Sequence, residues 1–154
     1  MWQKCKQDTP CSIVQLLIPH LLWEKILSQA QNQAPYECCG YLLGERKGED
    51  NSLIEIFPMQ NIHPSPCRHF SFSPSEQLRV LKEFAHLQII GVYHSHPNSE
   101  AIASEEDKMY MFFSTYSHLI ISLKNGISFA SYRKIREKLY KEKVVFLTHF
   151  KYNW

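Results

Sequence analysis

Glycine is scarce, at five residues in 154, and none of them builds a phosphate-cradling loop, which sets aside the common nucleotide-binding designs. Long apolar runs are missing: no window approaches the roughly 18 uninterrupted residues of a membrane span. The start, Met1-Trp2-Gln3-Lys4-Cys5-Lys6-Gln7-Asp8, has no apolar stretch behind its charges, which argues against a secretory leader. No Cys-x-x-Cys occurs. The five cysteines (Cys5, Cys11, Cys38, Cys39 and Cys67) are odd in number and make a poor disulfide framework, so reduced thiols and a cytoplasmic location are expected. Neither sign of charge dominates, with a formal net charge of +2, which gives no argument for nucleic acid. Neither nucleic acid nor a membrane is expected as a partner. Internal repeats, low-complexity tracts and Gly/Ser linkers are also lacking.

What is present suits one globular domain over 1–154, with a core over about 12–148 and short extensions at either end. Apolar residues make up 44% and charged ones 21%, and a chain of this size buries about 70% of its unfolded surface. Ser12 to Ile18 reads as a strand. Pro19 opens a helix whose apolar stripe is Leu22, Trp23, Ile26, Leu27 and Ala30. Cys38 to Leu43 and Ser52 to Phe57 read as strands joined by a polar turn over Glu45 to Asn51, followed by a Pro-punctuated loop from Gln60 to Arg68. Ser73-Pro74-Ser75-Glu76 is a capping-box sequence, with Leu78, Leu81, Phe84 and Ala85 as the buried face behind it. Gln88 to His96 is a buried strand stopped by Pro97, and Ser104-Glu105-Glu106-Asp107 starts another helix. His118 to Leu123, Ile127 to Arg133 and Val144 to Thr148 are later strands, the first two joined by an Asn125-Gly126 turn. The pattern is α+β or mixed α/β.

One segment carries chemistry: Tyr93-His94-Ser95-His96-Pro97, continuing to Ser104 and Asp107. Residues two apart on a strand share a face, so His94 and His96 present adjacent imidazoles. Asp107 falls in the first turn of the next helix. Two imidazoles and a carboxylate make a three-ligand set for Zn²⁺, leaving the fourth position to water. With eight histidines in the chain, His-x-His alone is weak, and Ser-x-x-Asp also simply caps a helix. The conjunction is what discriminates, and the cap would fix Asp107 where a metal could use it.

The pattern resembles the JAMM motif of the MPN+ (JAB) metallopeptidases: a Glu, then His-Ser/Thr-His-Pro, then Ser-x-x-Asp. Glu37, in Glu37-Cys38-Cys39-Gly40-Tyr41-Leu42-Leu43-Gly44, matches the upstream glutamate, and the likeness runs from the first helix through Arg133. Ala103 stands where the family usually has proline. The resemblance implies an MPN/JAB fold, a central mixed β-sheet flanked by helices, cytidine-deaminase-like. It implies one Zn²⁺ per chain on His94, His96 and Asp107. Glu37 would be the general base that passes a proton from water to the leaving amine, and Ser104 the hydroxyl that steadies the oxyanion. The implied activity is that of a deubiquitinase-like isopeptidase, cutting after the C-terminal glycine of a ubiquitin-like protein. Such a tail suits a tight approach to the metal because glycine has no Cβ, and strand addition would supply affinity. Bacterial relatives of this size serve sulfur-carrier processing or the ubiquitin-like conjugation systems of antiphage operons, where E1- and E2-like proteins are the expected partners.

Two alternatives from other classes stay open: a non-catalytic MPN scaffold that binds ubiquitin-like proteins, and a binding domain with structural zinc. Scaffolds usually lack one or more of the five residues, all of which are present here, and structural zinc usually takes four Cys-rich ligands. Cys38 and Cys39 read as buried small hydrophobes. His63, Cys67 and His69 form a His/Cys/His cluster of no familiar spacing. Arg133 to Lys143, with six basic and two acidic residues, reads as a solvated surface or a patch for an acidic partner. Phe150, Tyr152 and Trp154 end the chain as an aromatic tail.

Overall fold

The computed structural model describes residues 14–148. Cys5, Cys11, the first residues of the expected first strand and the tail aromatics Phe150, Tyr152 and Trp154 lie outside them. The elements are β1 (Gln15–Pro19), α1 (His20–Gln33), β2 (Cys39–Lys47), β3 (Asp50–Met59), α2 (Pro74–Glu83), β4 (Gln88–His96), α3 (Glu105–Phe112), β5 (Ser117–Ser122), β6 (Ser128–Ile135) and β7 (Lys138–Leu147). The sheet is mixed, as expected, but it closes on itself in the order β1-β3-β2-β4-β5-β6-β7. Five residue pairs from Gln15↔Lys143 to Pro19↔Leu147 join β7 in parallel to β1 and make the closing seam. The expected central mixed sheet is thus present, closed into a barrel. The closure escapes a reading of hydrophobicity because the first half of β7 is mostly charged.

Strand alternation sorts the core into clusters on opposite faces. Leu42 joins Leu16, Ile18, Ile56, Tyr93, Leu119 and Ile121, packed against Leu22, Trp23, Ile26 and Ala30 of α1. Its neighbours Tyr41 and Leu43 point the other way, with Phe57, Met59 and Val92, onto Val80 of α2. Ala101, Ala103, Met111 and Ile120 form a third cluster under α3.

Two expectations are overturned. In α2 the buried side chain is Val80, while Leu78 and Leu81 are 53% and 60% exposed. The face toward the sheet is set by Gln77, whose amide donates to the Tyr41 hydroxyl (3.0 Å), by Val80 and by the half-buried Phe84, one helical turn apart. Ser73 does not cap: its hydroxyl pairs with that of Ser75, and Glu76 instead accepts from the backbone of Gln60. The basic stretch Arg133 to Lys143 forms the β6–β7 hairpin and is a largely solvated surface, with Arg136, Lys138, Lys141 and Lys143 exposed, but Arg133 and Glu142 are buried. The Asn125-Gly126 turn forms as expected, with positive φ at both residues (57° and 97°).

This architecture positions one strand above all. β4 lies between β2, antiparallel, and β5, parallel. The chain leaves its carboxyl end, crosses through α3 and returns along β5, and ligands in such β-α-β units gather at the carboxyl ends of the strands.

Candidate active site

His94 and His96 are the last inward pair of β4 and both are buried. The Nε2 atoms of the two rings lie 3.1 Å apart. Asp107, third residue of α3, sets Oδ1 3.3 Å from Nε2 of His94 and Oδ2 3.3 Å from Nε2 of His96. The edges of a tetrahedron with metal–nitrogen bonds of about 2.0–2.1 Å measure roughly 3.3 Å. The two ring nitrogens, and the Asp107 carboxylate that reaches each of them through a different oxygen, thus lie at zinc-sized spacings, and the residue types fit the ion.

Each donor is oriented by its own support. Nδ1 of His96 lies 2.7 Å from the carbonyl oxygen of Glu100; that carbonyl can only accept, so Nδ1 carries hydrogen and Nε2 keeps its lone pair for the centre. Phe70 stacks on the His94 ring at 4.5 Å. Asp107 is held by a capping box with Ser104: the Asp107 amide donates to Ser104 Oγ (3.0 Å) and the Ser104 amide donates to Oδ2 (2.9 Å). Cap and site coexist, as the sequence allowed.

Glu37 lies just before β2, and a carboxylate oxygen of it falls within 4.8 Å of ring nitrogens of both His94 and His96. At that range the carboxylate can reach a water bound between the donors. The carboxyl is only 4% exposed, and burial pushes its pKa up to about 7; the nearby His96 works against this, while Asp107 and Glu106 add to it. The imidazole–carboxylate pairing acts in the other direction on Asp107. Burial alone would raise its carboxyl, but hydrogen bonds from His94 and His96 hold it well below the usual carboxylate range. For His94, burial dominates and lowers the pKa.

The backbone that carries Glu37 is clamped on both sides. Its amide donates to the carbonyl of Pro66 (2.8 Å), and its carbonyl accepts from the side chain of Asn61 (3.1 Å). The next amide, of Cys38, donates to Ser95 Oγ (2.8 Å), and the amide of Ser95 returns a bond to the Cys38 carbonyl (3.0 Å). Ser95, Asn61 and Phe70 are positioning residues that sequence reasoning missed. Ser95 could have been found, since strand alternation aims the residue between two inward histidines at the opposite face; the loop residues Asn61 and Phe70 carry no such signal. Gly40 explains its own place: a Cβ there would sit 2.5 Å from the Tyr93 ring. Cys38 and Cys39 are fully buried, as expected, and burial pushes the Cys38 thiol up to about 11, which suits an inert packing residue.

A profile of prokaryotic homologues of the JAB domain matches residues 19–133. The chain belongs to this family. Among JAB relatives, a Thermus thermophilus protein named a probable TtuB-protein conjugate cleaving protease is 33% identical over 94 residues, 60% of this chain. The match spans 60% of the relative's own length. The desampylase of Haloferax volcanii is 30% identical over 105 residues, 64% of this chain and 74% of that one. The solution structure of a Desulfitobacterium hafniense protein superposes with a TM-score of 0.78 at 30% identity, covering 90% of this chain and 97% of that one. A JAB1/MPN-domain protein of Archaeoglobus fulgidus gives 0.53 at 20% identity, covering 86% and 99%, a likeness of fold alone. The JAB barrel leaves no open edge at the histidines, because β4 is hydrogen-bonded to β2 and β5. An incoming strand therefore cannot add to β4 itself, whereas β3 pairs with β1 only at Asn51 and Ser52. No helix among the described residues is long and apolar enough to cross a membrane.

Proposed function

We propose that this chain is a zinc-dependent isopeptidase that hydrolyses the bond after the C-terminal glycine of a ubiquitin-like protein. The observation that carries this reading is the convergence of His94, His96 and Asp107 at 3.1–3.3 Å, with the buried Glu37 carboxylate beside them. His94, His96 and Asp107 would hold the ion. Zn²⁺ bound there supplies Lewis acidity, polarising the scissile carbonyl and making water a better acid. Glu37, with its pKa raised toward neutrality, accepts a proton from the attacking water and delivers it to the amine as the carbon–nitrogen bond breaks. Ser104 Oγ spends a lone pair on the Asp107 amide, so its own hydrogen remains free to donate to the oxygen that becomes negative.

The substrate class rests on two supports. The Thermus relative is named for cleaving protein conjugates, and the Haloferax relative is named a desampylase. A groove of about 650 Å³ also runs to Glu37 between the end of α1 and β3, lined by Gln29, Gln33, Tyr36, Met59 and Asn61. Its amide side chains can hydrogen-bond an extended main chain, and glycine lets that chain approach without a Cβ.

The test incubates the purified chain with ubiquitin-like donors, including any encoded beside it, fused to a lysine-bearing or peptide acceptor. Cutting at the glycine bond that stops on chelation and returns with Zn²⁺ is expected, with sharp loss when that glycine becomes Val. Tight binding of the donor by zinc-loaded protein without cutting would overturn the enzyme reading in favour of a scaffold.

A further inference from the structure

We propose a second divalent-cation site, built by His63, His69 and Glu106 at the rim of the catalytic cleft. The three side chains each bring one donor atom to within 4.8 Å of the others. Nδ1 of His69 is in direct contact with Oε2 of Glu106, and Nε2 of His63 lies 3.9 Å from Oε1 of the same carboxylate. The two rings sit 4.8 Å apart between centroids. All three residues are partly buried, so the cluster is open to ions on one side. Two imidazoles and a carboxylate with a free fourth position select Zn²⁺ or a similar borderline ion such as Co²⁺ or Ni²⁺ over Mg²⁺ or Ca²⁺. The His/Cys/His grouping seen in the sequence does not form as such: Cys67 is exposed and stands outside the cluster, and Glu106 of α3 joins the two histidines.

The loop is built to hold the two histidines together. Asn61 accepts from the amides of His63 (3.0 Å) and Ser71 (3.1 Å) and donates to the carbonyl of His69 (2.8 Å). One local contact must yield. Nδ1 of His63 accepts the amide hydrogen of Ser65 (2.9 Å), whereas a neutral ring that binds metal through Nε2 carries its hydrogen on Nδ1. Loading therefore opens the Ser65 contact and draws the His63 ring toward Glu106.

Occupancy would tie two separate supports of the catalytic groups together. The loop carries Pro66 and Asn61, which hold the backbone of Glu37. Glu106 is the neighbour of Asp107 on α3. A cation bridging them staples the Glu37 support to the Asp107 helix, and makes zinc supply a means of stiffening the cleft.

The experiment is metal stoichiometry of the full chain after equilibration with free Zn²⁺ and gel filtration. Two equivalents are expected in the unmodified protein. One is expected in the His63→Ala, His69→Ala double variant, in Glu106→Gln, and in the His94→Ala, His96→Ala double variant. Melting curves show which variants fold, and Glu106→Gln, which keeps its shape, stands in if the loop variant does not. In nuclear magnetic resonance spectra, the Ser65 amide should shift on adding the second equivalent and not the first. One equivalent in the unmodified protein that persists in both rim variants would overturn the proposal and leave a His–Glu contact only. One equivalent that disappears in the rim variants and survives His94→Ala, His96→Ala would uphold this site and defeat the catalytic one.

Discussion

At the scale of single residues, Glu37 is where chemistry and folding pull apart. Its carboxyl is buried beside two imidazoles and an aspartate, held by backbone bonds at its own amide and carbonyl rather than by its side chain. Glu37→Gln removes the proton acceptor and leaves these bonds intact. Zinc content and melting temperature should stay near those of the unmodified protein, while kcat falls about 10²–10⁴-fold. A base works only when deprotonated, so activity should fall as the pH drops through the Glu37 pKa, which burial raises to about 7 in the metal-free protein and a bound cation would lower. Near-normal turnover in the variant would show that another group activates the water. Residue type and spacing singled out Glu37, His94, His96, Ser104 and Asp107, which the fold brings together, because alternation on a strand and a capped first turn are local rules. Asn61 and Phe70 were not legible, because their roles depend on where a loop of irregular backbone folds back.

The secondary-structure elements show which local signals survive packing. The Ser104 cap formed and the Ser73 cap did not, although both read alike, because Glu76 found the backbone of Gln60 as a tertiary partner. The Asn125-Gly126 turn was legible; the turn between β6 and β7 was not, because it places positive φ on Arg136 (49°) and Glu137 (70°), residues that seldom adopt it. β5 carries a further consequence in His118, buried and 2.7 Å from the Ser114 hydroxyl. Burial lowers its pKa to about 4, with His94 adding to the effect. Between about 6.5 and 4 the unfolded chain binds a proton that the folded chain refuses. Stability should therefore decline as the pH falls through that window, by an amount on the order of 3 kcal/mol from this group. His118→Gln should flatten the decline in urea titrations taken at pH 7, 6 and 5. Equal slopes in both proteins would show that His118 titrates elsewhere.

At the scale of the whole molecule, the barrel's closure rests on a polar hub that composition hides. The Arg133 guanidinium pairs with Glu142 of β7 at 2.6 Å and donates to the carbonyls of Glu49 and Gln15 (the latter at 3.3 Å) and to Ser117 Oγ (3.1 Å). It thereby ties β6 to the β2–β3 turn, β1, β5 and β7. Glu142→Ala strands a buried cation and should cost about 3–5 kcal/mol, whereas Arg133→Met with Glu142→Leu should cost much less. Chemical denaturation of the three proteins decides this, and an equal loss in the single and double variants would mean the pair does not act as a unit. The fold class was legible in the order of helices and strands, but the seam was not, since pairing of β1 with β7 joins residues more than a hundred positions apart and leaves no local trace. That seam also orders events in time. Glu37, His94, His96 and Asp107 all precede β6 and β7 in the chain, so they leave the ribosome before the last strand does. At about 5–20 residues per second, β7 follows Asp107 by seconds, and until it docks on β1 the barrel that carries these four side chains cannot close.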